Sequence, residues 1–229
     1  MTARDDIFNR LKTTLDRVYA PSVRSAQADQ RIQGAAPVLI PERGRAEGPA
    51  KVTLFISEAQ AAAAEVRQLA GFGDVPGAVR DMAKEAGCTK LKIAPHGTLQ
   101  AMDWSDMDIS YGCGAGDDHV GVSMADAGVS ETGTLVMMSG PQTPTTLNFL
   151  PDVHIVVLRT EDIVANYEEV WAQLRQNAKS NAQPDTVVMP RTVNWITGPS
   201  RTADIEQTLL LGAHGPRKLI VLLIDAQVP

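Results

Sequence analysis

Few residues in this 229-residue chain have types and spacing that could carry chemistry, and they gather in two places. Ser130-Glu131-Thr132-Gly133-Thr134 sets one carboxylate among hydroxyls and a glycine. A carboxylate placed in this way can act as a general base or as a nucleophile close to a ligand. The same cluster also suits a self-satisfied turn. The second place is Gly198-Pro199-Ser200-Arg201-Thr202, between a predicted strand (193–197) and a predicted helix (202–211). Ligands collect at the carboxyl ends of strands in open α/β sheets, and a helix N-terminus offers free N–H groups and positive partial charge. Arg201 could add a bidentate contact to a carboxylate or phosphate. The competing reading is a well-made turn, in which Gly198 and Pro199 bend the chain, Thr202 caps the helix, and Asp204 and Glu206 complement its dipole. Glu131 is thus the candidate catalytic residue. Thr132, Gly133, Thr134, Gly198, Ser200, Arg201 and Thr202 are the candidate ligand-binding residues.

Other suggestive stretches fall short of a motif. Gly112-Cys113-Gly114-Ala115-Gly116 lacks the spacing of a dinucleotide loop, and Asp117 and Asp118 would repel phosphate. The histidines at 96, 119, 154 and 214 form no short metal-ligand spacing, and His154, which opens an apolar strand, reads as a hydrogen-bonded core residue. Asp103, Asp106 and Asp108 match no calcium loop. The two cysteines, Cys88 and Cys113, make no Cys-x-x-Cys pair, so neither a disulfide framework nor a self-contained iron–sulfur site is expected, and no metal site is assigned.

The elements that must position these residues follow from periodicity. Ile7, Leu11, Leu15 and Val18 predict an N-terminal helix, followed by a proline- and glycine-rich stretch from Gln33 to Ala50. Residues 1–50 read as a helical arm with a linker, and 51–229 as the α/β domain. In that domain Val52–Ile56 reads as a strand, followed by an alanine-rich helix from near Glu58. A helix is expected over 76–85 and short strands over 91–94, 120–123 and 133–138. A continuous apolar strand over 153–158 precedes a helix whose one face carries Ile163, Val164, Tyr167, Val170, Trp171 and Leu174. Leu219–Ile224 reads as the last strand. Continuous apolar strands alternating with helices predict a mostly parallel sheet covered by helices on both faces. A formal charge of -6 opposes general nucleic-acid binding. With no apolar leader and no apolar run long enough to span a bilayer, a cytoplasmic protein is expected.

Three stretches together resemble one family. Ala125-Asp126-Ala127-Gly128-Val129-Ser130-Glu131-Thr132-Gly133-Thr134-Leu135 looks like its central signature. Phe149-Leu150-Pro151-Asp152-Val153-His154-Ile155 is similar to its proline–histidine strand entry. Thr197-Gly198-Pro199-Ser200-Arg201-Thr202-Ala203-Asp204-Ile205-Glu206, with Gly212-Ala213-His214-Gly215-Pro216, is similar to its C-terminal signature. The family is the lactate utilization protein C group (LutC/YkgG, or LUD domain). Relatives carry an arginine and a serine just before the Leu-Pro, where this chain reads Pro144-Thr145-Thr146-Leu147-Asn148-Phe149 and supplies no positive charge.

The resemblance implies a fold like the NagB/RpiA/CoA-transferase group. It also implies a bacterial-type role in oxidising L-lactate to pyruvate beside partner proteins that hold the iron–sulfur clusters. On that reading the chain is an accessory, non-redox subunit with no cofactor of its own evident, and Arg201 orients a small carboxylate such as lactate or pyruvate. Two alternatives stand beside it: an acyl- or CoA-transferase-like or isomerase-like enzyme using Glu131, and a non-enzymatic assembly or regulatory protein that holds partners through its N-terminal arm.

Overall fold

The computed structural model describes residues 2–18, 23, 25–27, 30, 38–180, 189–202, 210–212 and 214–225. It divides into two units, Met1–Leu39 and Ile40–Pro229. The first contains helix α1 (Ala3–Val18), which follows the predicted period. The second contains every other element named here.

In the second unit, helix α2 spans Gly48–Ala61, with Pro49 in its first turn, where proline's fixed φ suits a helix and its missing N–H costs nothing. This corrects the strand expected at Val52–Ile56. The run is apolar, but Val52, Phe55, Ile56 and Ala59 fall at i, i+3, i+4 and i+7, and it is this helical stripe that packs inward. The strand comes later, as β1 (Glu65–Leu69). Helix α3 (Val75–Glu85), β2 (Lys90–Ile93), the short helix α4 (Gly97–Gln100) and β3 (Asp108–Tyr111) follow, then β4 (Val120–Met124), β5 (Ala127–Val129) and β6 (Thr134–Met138). After β7 (Val153–Arg159) comes a second correction: Ile163–Val164 forms strand β8 rather than the start of a helix. Helix α5 (Tyr167–Ser180) begins only after Asn166, whose side chain accepts a hydrogen bond from Glu169 N at 3.1 Å, an N-cap arrangement.

Strands β9 (Val193–Ile196), β10 (Arg201–Thr202), β11 (Leu210–Leu211) and β12 (Lys218–Ile224) complete the chain. The helix expected over 202–211 is corrected at both ends, because Arg201 and Thr202 pair antiparallel with Leu211 and Leu210. Its middle lies outside the described residues.

The main sheet has six strands, all parallel, in the order β1-β12-β7-β4-β2-β3. The adjacent inner strands β12 and β7 are buried on both faces. Ile155 and Val157 of β7, with Ile220, Leu222 and Ile224 of β12, face a core shared with α3 and α4. Val156, Leu158, Leu219, Val221 and Leu223 face a second core shared with α2. The period of two along each strand divides the side chains between these cores. The second face is shared by a four-stranded sheet, β8-β5-β6-β9, in which β5, β6 and β9 pair antiparallel. Leu135 and Met137 of β6 reach the second core from that sheet. Edge strand β1 carries an ion-paired ladder, with Glu65 2.5 Å from Arg67 and 2.8 Å from Lys218. Charge on an edge strand discourages pairing with another chain.

Candidate functional site

The loop after β9 and the entry to β7 meet at the amino ends of β7 and β12, because register places His154 opposite Leu219. Backbone hydrogen bonds lock the loop: Ser200 N donates to Pro216 O at 2.8 Å and Gly212 N to Ser200 O at 3.1 Å. They enclose a cleft of about 260 Å³ lined by Asn148, Phe149, His154, Trp195, the segment 196–201, His214–Pro216 and Leu219. The expectation that the 198–202 segment serves the carboxyl ends of the sheet strands is thereby revised. The segment follows β9 of the small sheet, and against the parallel sheet it sits at the amino ends. A wider depression of about 840 Å³ lies at the carboxyl ends of β1 and β12, lined by Gly48, Lys51, Gln68 and Asp225 among others. It includes none of the nominated residues and, among the described residues, no buried polar side-chain atom without a partner.

Of the nominated residues, Gly198, Ser200 and Arg201 line the 260 Å³ cleft. Gly198 has φ +77°, and a Cβ there would stand 2.1 Å from Ala62 O, so the loop lies directly on the end of α2. Arg201 Nη2 donates to that same Ala62 oxygen at 2.8 Å. A cation on the last carbonyls of a helix complements the negative end of its dipole, so one guanidinium nitrogen already has a structural task. Among the described residues the other N–H groups of this exposed side chain have no partner, so they can serve an anion. Ser200 Oγ accepts from His214 N at 3.3 Å, which leaves its own hydrogen free to donate. Thr202 contributes backbone to β10.

The Ser130–Thr134 turn lies elsewhere. Gly133, φ +63°, is pressed on the backbone of Ala59, where a Cβ would come within 2.1 Å of its nitrogen. Thr134 Oγ1 lies 2.7 Å from Thr132 Oγ1, 2.9 Å from Tyr167 OH and 2.6 Å from Thr197 Oγ1. Through Thr197 this hydroxyl cluster backs the wall of the cleft, although Thr132 and Thr134 do not line it. Glu131 is buried, and the structure does not bring it to the cleft. Its Oε2 stands 3.1 Å from where a Cβ on Gly44 would be, and its N–H donates to Ala165 O at 3.1 Å. Asn166 Nδ2 ties the Gly44 carbonyl down over this spot at 2.9 Å.

Two residues that were not nominated also line the cleft. His154 is fully buried, with Nε2 2.6 Å from Ser123 Oγ, as a hydrogen-bonded core histidine should be, but Nδ1 has no partner. Burial alone pushes its pKa from 6.5 down to about 3, so the ring is uncharged near neutrality. Asn148 is 3% exposed, and its amide makes no hydrogen bond with any described residue. Sequence held a signal for one of them, since His154 lies in the quoted strand-entry stretch. Among the described residues no three His, Cys, Asp or Glu side chains come together to hold a metal ion, and no helix is long and apolar enough to cross a membrane.

An open parallel sheet backed by helices and a small mixed sheet, with a cleft built from glycine–proline loops, places the chain among α/β proteins of a recognisable kind. Its fold is that of a crystal structure of a DUF162 family protein from Deinococcus radiodurans, with TM-score 0.55 and 19% identity over 76% of this chain and 96% of that one. Residues 115–224, just under half of the chain, match the model of the LUD domain, the family that the three stretches resemble. Among curated relatives, an uncharacterized protein of Neisseria meningitidis serogroup B is 39% identical over 104 residues, 45% of this chain and 41% of that protein. YkgG of Escherichia coli is 35% identical over 106 residues, 46% and 44%. Lactate utilization protein C of Bacillus subtilis is 32% identical over 107 residues, 47% and 42%. The matched stretch thus spans about two fifths of the length of these relatives.

Proposed function

We propose that this chain serves the oxidation of L-lactate to pyruvate as a non-redox component that holds the small carboxylate, while iron–sulfur partner proteins take the electrons. The observation that carries the reading is the cleft itself, where the strand-entry stretch and the C-terminal signature meet around Ser200 and Arg201. Several similar proteins bear the name lactate utilization protein C, which supplies the pathway. Removing two electrons from lactate needs an acceptor. A four-thiolate cluster needs more than Cys88 and Cys113 provide, so the acceptor is placed on partners. Arg201 offers the carboxylate a fixed positive charge and directional N–H groups. Phe149, Trp195 and Leu219 supply apolar wall for a short carbon chain.

The test is reconstitution of the full chain with the iron–sulfur lactate utilization proteins of the same source, with L-lactate as donor and a dye as final acceptor. Dye reduction that requires this chain, and that Arg201→Ala slows, supports the reading. The same rate with and without the chain overturns it.

A further inference from the structure

A depression of about 630 Å³ lies apart from the cleft, between the start of α3 and the segment around α4. These segments leave the carboxyl ends of β1 and β2, the edge at which open α/β sheets collect ligands. Two glycines, Gly73 and Gly77, line it. Neither has a left-handed φ, and a Cβ on either would meet nothing within 4 Å. Neither turn geometry nor packing therefore asks for glycine, and Gly77 weakens the first turn of the helix that carries it. The missing side chains leave flat backbone open to a group laid upon it. Phe72 and Met102, both partly buried against the first core, supply apolar wall.

Two polar groups of opposite sense share this lining. Arg80 Nε is buried and has no partner among the described residues, while its Nη2 pairs with Asp106 at 3.2 Å. A buried N–H without an acceptor is rare in a folded chain and points to one that the fold does not supply. Asp103 Oδ1 accepts from Ser105 N at 3.0 Å. Hydrogen bonds from Ser105, side chain first and backbone second, hold the Asp103 carboxyl below its usual range, so it is an ionised acceptor. The charge of Arg80 acts on Asp103 in the same direction, which puts the two within electrostatic reach. Asp103 and Asp106 together outweigh this one cation, so an anionic ligand is disfavoured. An uncharged edge with an acceptor beside a donor answers both groups. We propose that the depression binds a planar ring with a lactam edge, a carbonyl next to a ring N–H, as in guanine, uracil and flavins. The ring lies on Gly73 and Gly77 between Phe72 and Met102, its carbonyl accepts from Arg80, and its N–H donates to Asp103. This site uses no residue of the cleft and does not depend on the proposed pathway.

Calorimetric titration of the full chain with guanosine, uridine and riboflavin tests it, each beside the form methylated on the lactam nitrogen. At least one of the three is expected to bind saturably, and its methylated form roughly tenfold or more weakly, because the hydrogen bond to Asp103 is lost. Which of the three binds tells a nucleobase from a flavin. Asp103→Ala is expected to remove the difference between that ring and its methylated form. Gly77→Leu fills the floor and is expected to abolish binding while melting no lower than the natural chain, since leucine is the better helix former and its Cβ meets no neighbour. No binding of any of the three, or equal binding of the methylated form, overturns the proposal, and that comparison decides even if a variant does not fold. A folded Gly77→Leu that binds as the natural chain does also overturns it.

Discussion

Acid should unfold this protein partly through one residue, His154. Its ring is fully buried and stays unprotonated until about pH 3, whereas in the unfolded chain it takes a proton near pH 6.5. Between those values the unfolded state binds more protons than the native one, so stability falls as the pH falls. The stability is fully present above the unfolded pKa and fully lost below the folded one. Each unit of separation is worth about 1.4 kcal/mol, so the whole gap amounts to roughly 5 kcal/mol, of which roughly 3 kcal/mol is gone by about pH 4.5. Acidic groups contribute their own pH dependence, so the measurement must be a difference. His154→Gln cannot titrate, yet its amide can still serve Ser123. Urea unfolding of both proteins from about pH 7.5 to about pH 4.5 should show the natural chain losing roughly 3 kcal/mol more than the variant. Parallel curves would refute the reasoning, because they would mean that the ring takes up its proton in the native state and that water reaches it.

Arg201→Ala removes both the cation on the last carbonyls of α2 and the charge at the mouth of the cleft. Thermal or urea unfolding should show a loss of about 1 kcal/mol, and pyruvate and propionate should weaken by similar factors, since both carry the carboxylate. Gly198→Ala should lower stability by several kcal/mol or prevent folding, because the new Cβ would meet Ala62 O at 2.1 Å in a left-handed backbone conformation. A far-ultraviolet circular dichroism melt checks it, and a near-natural midpoint would contradict the packing of this loop on α2.

How legible the fold was in sequence depended on whether a segment's period had one interpretation. β12 reads Lys218-Leu219-Ile220-Val221-Leu222-Leu223-Ile224, apolar almost throughout, and only a strand buried on both faces uses such a run at that length. Val52–Ile56 is as apolar and as short, and there the strand reading failed. The deciding residues were Pro49 before it and Ala59 after it, which together complete a helical stripe. Ile163 and Val164 fit a helical face by spacing, but the Asn166 cap starts the helix later, and the cap was written in Asn166-x-x-Glu169. β1 had little apolar signal because an edge strand meets solvent and carries Glu65 and Arg67.

The site was legible in part for a related reason. Short signatures rich in glycine and hydroxyl residues are conspicuous in sequence, and here many of them do structural work. Gly133 and Gly198 seat two turns on the end of α2, and Thr132 and Thr134 join a closed hydroxyl cluster with Tyr167 and Thr197. Glu131 is chemically the most inviting residue of its stretch, yet it is buried under Gly44 and Asn166, away from the cleft. No local spacing could reveal that, since the covering loop comes from about ninety residues earlier in the chain.

The division of labour in the cleft follows from the same geometry. The signature segment 197–201 and the segment 214–216 fix backbone: Ser200 N holds Pro216 O, and Gly215 lies so close that a Cβ would stand 3.3 Å from Ser200 Cβ. Side chains at these positions could change little without opening the loop. Among the described residues the fold leaves one buried polar atom of the cleft without a partner, Nδ1 of His154, whereas Ser200 Oγ and one Arg201 nitrogen already hold the His214 N–H and the Ala62 carbonyl.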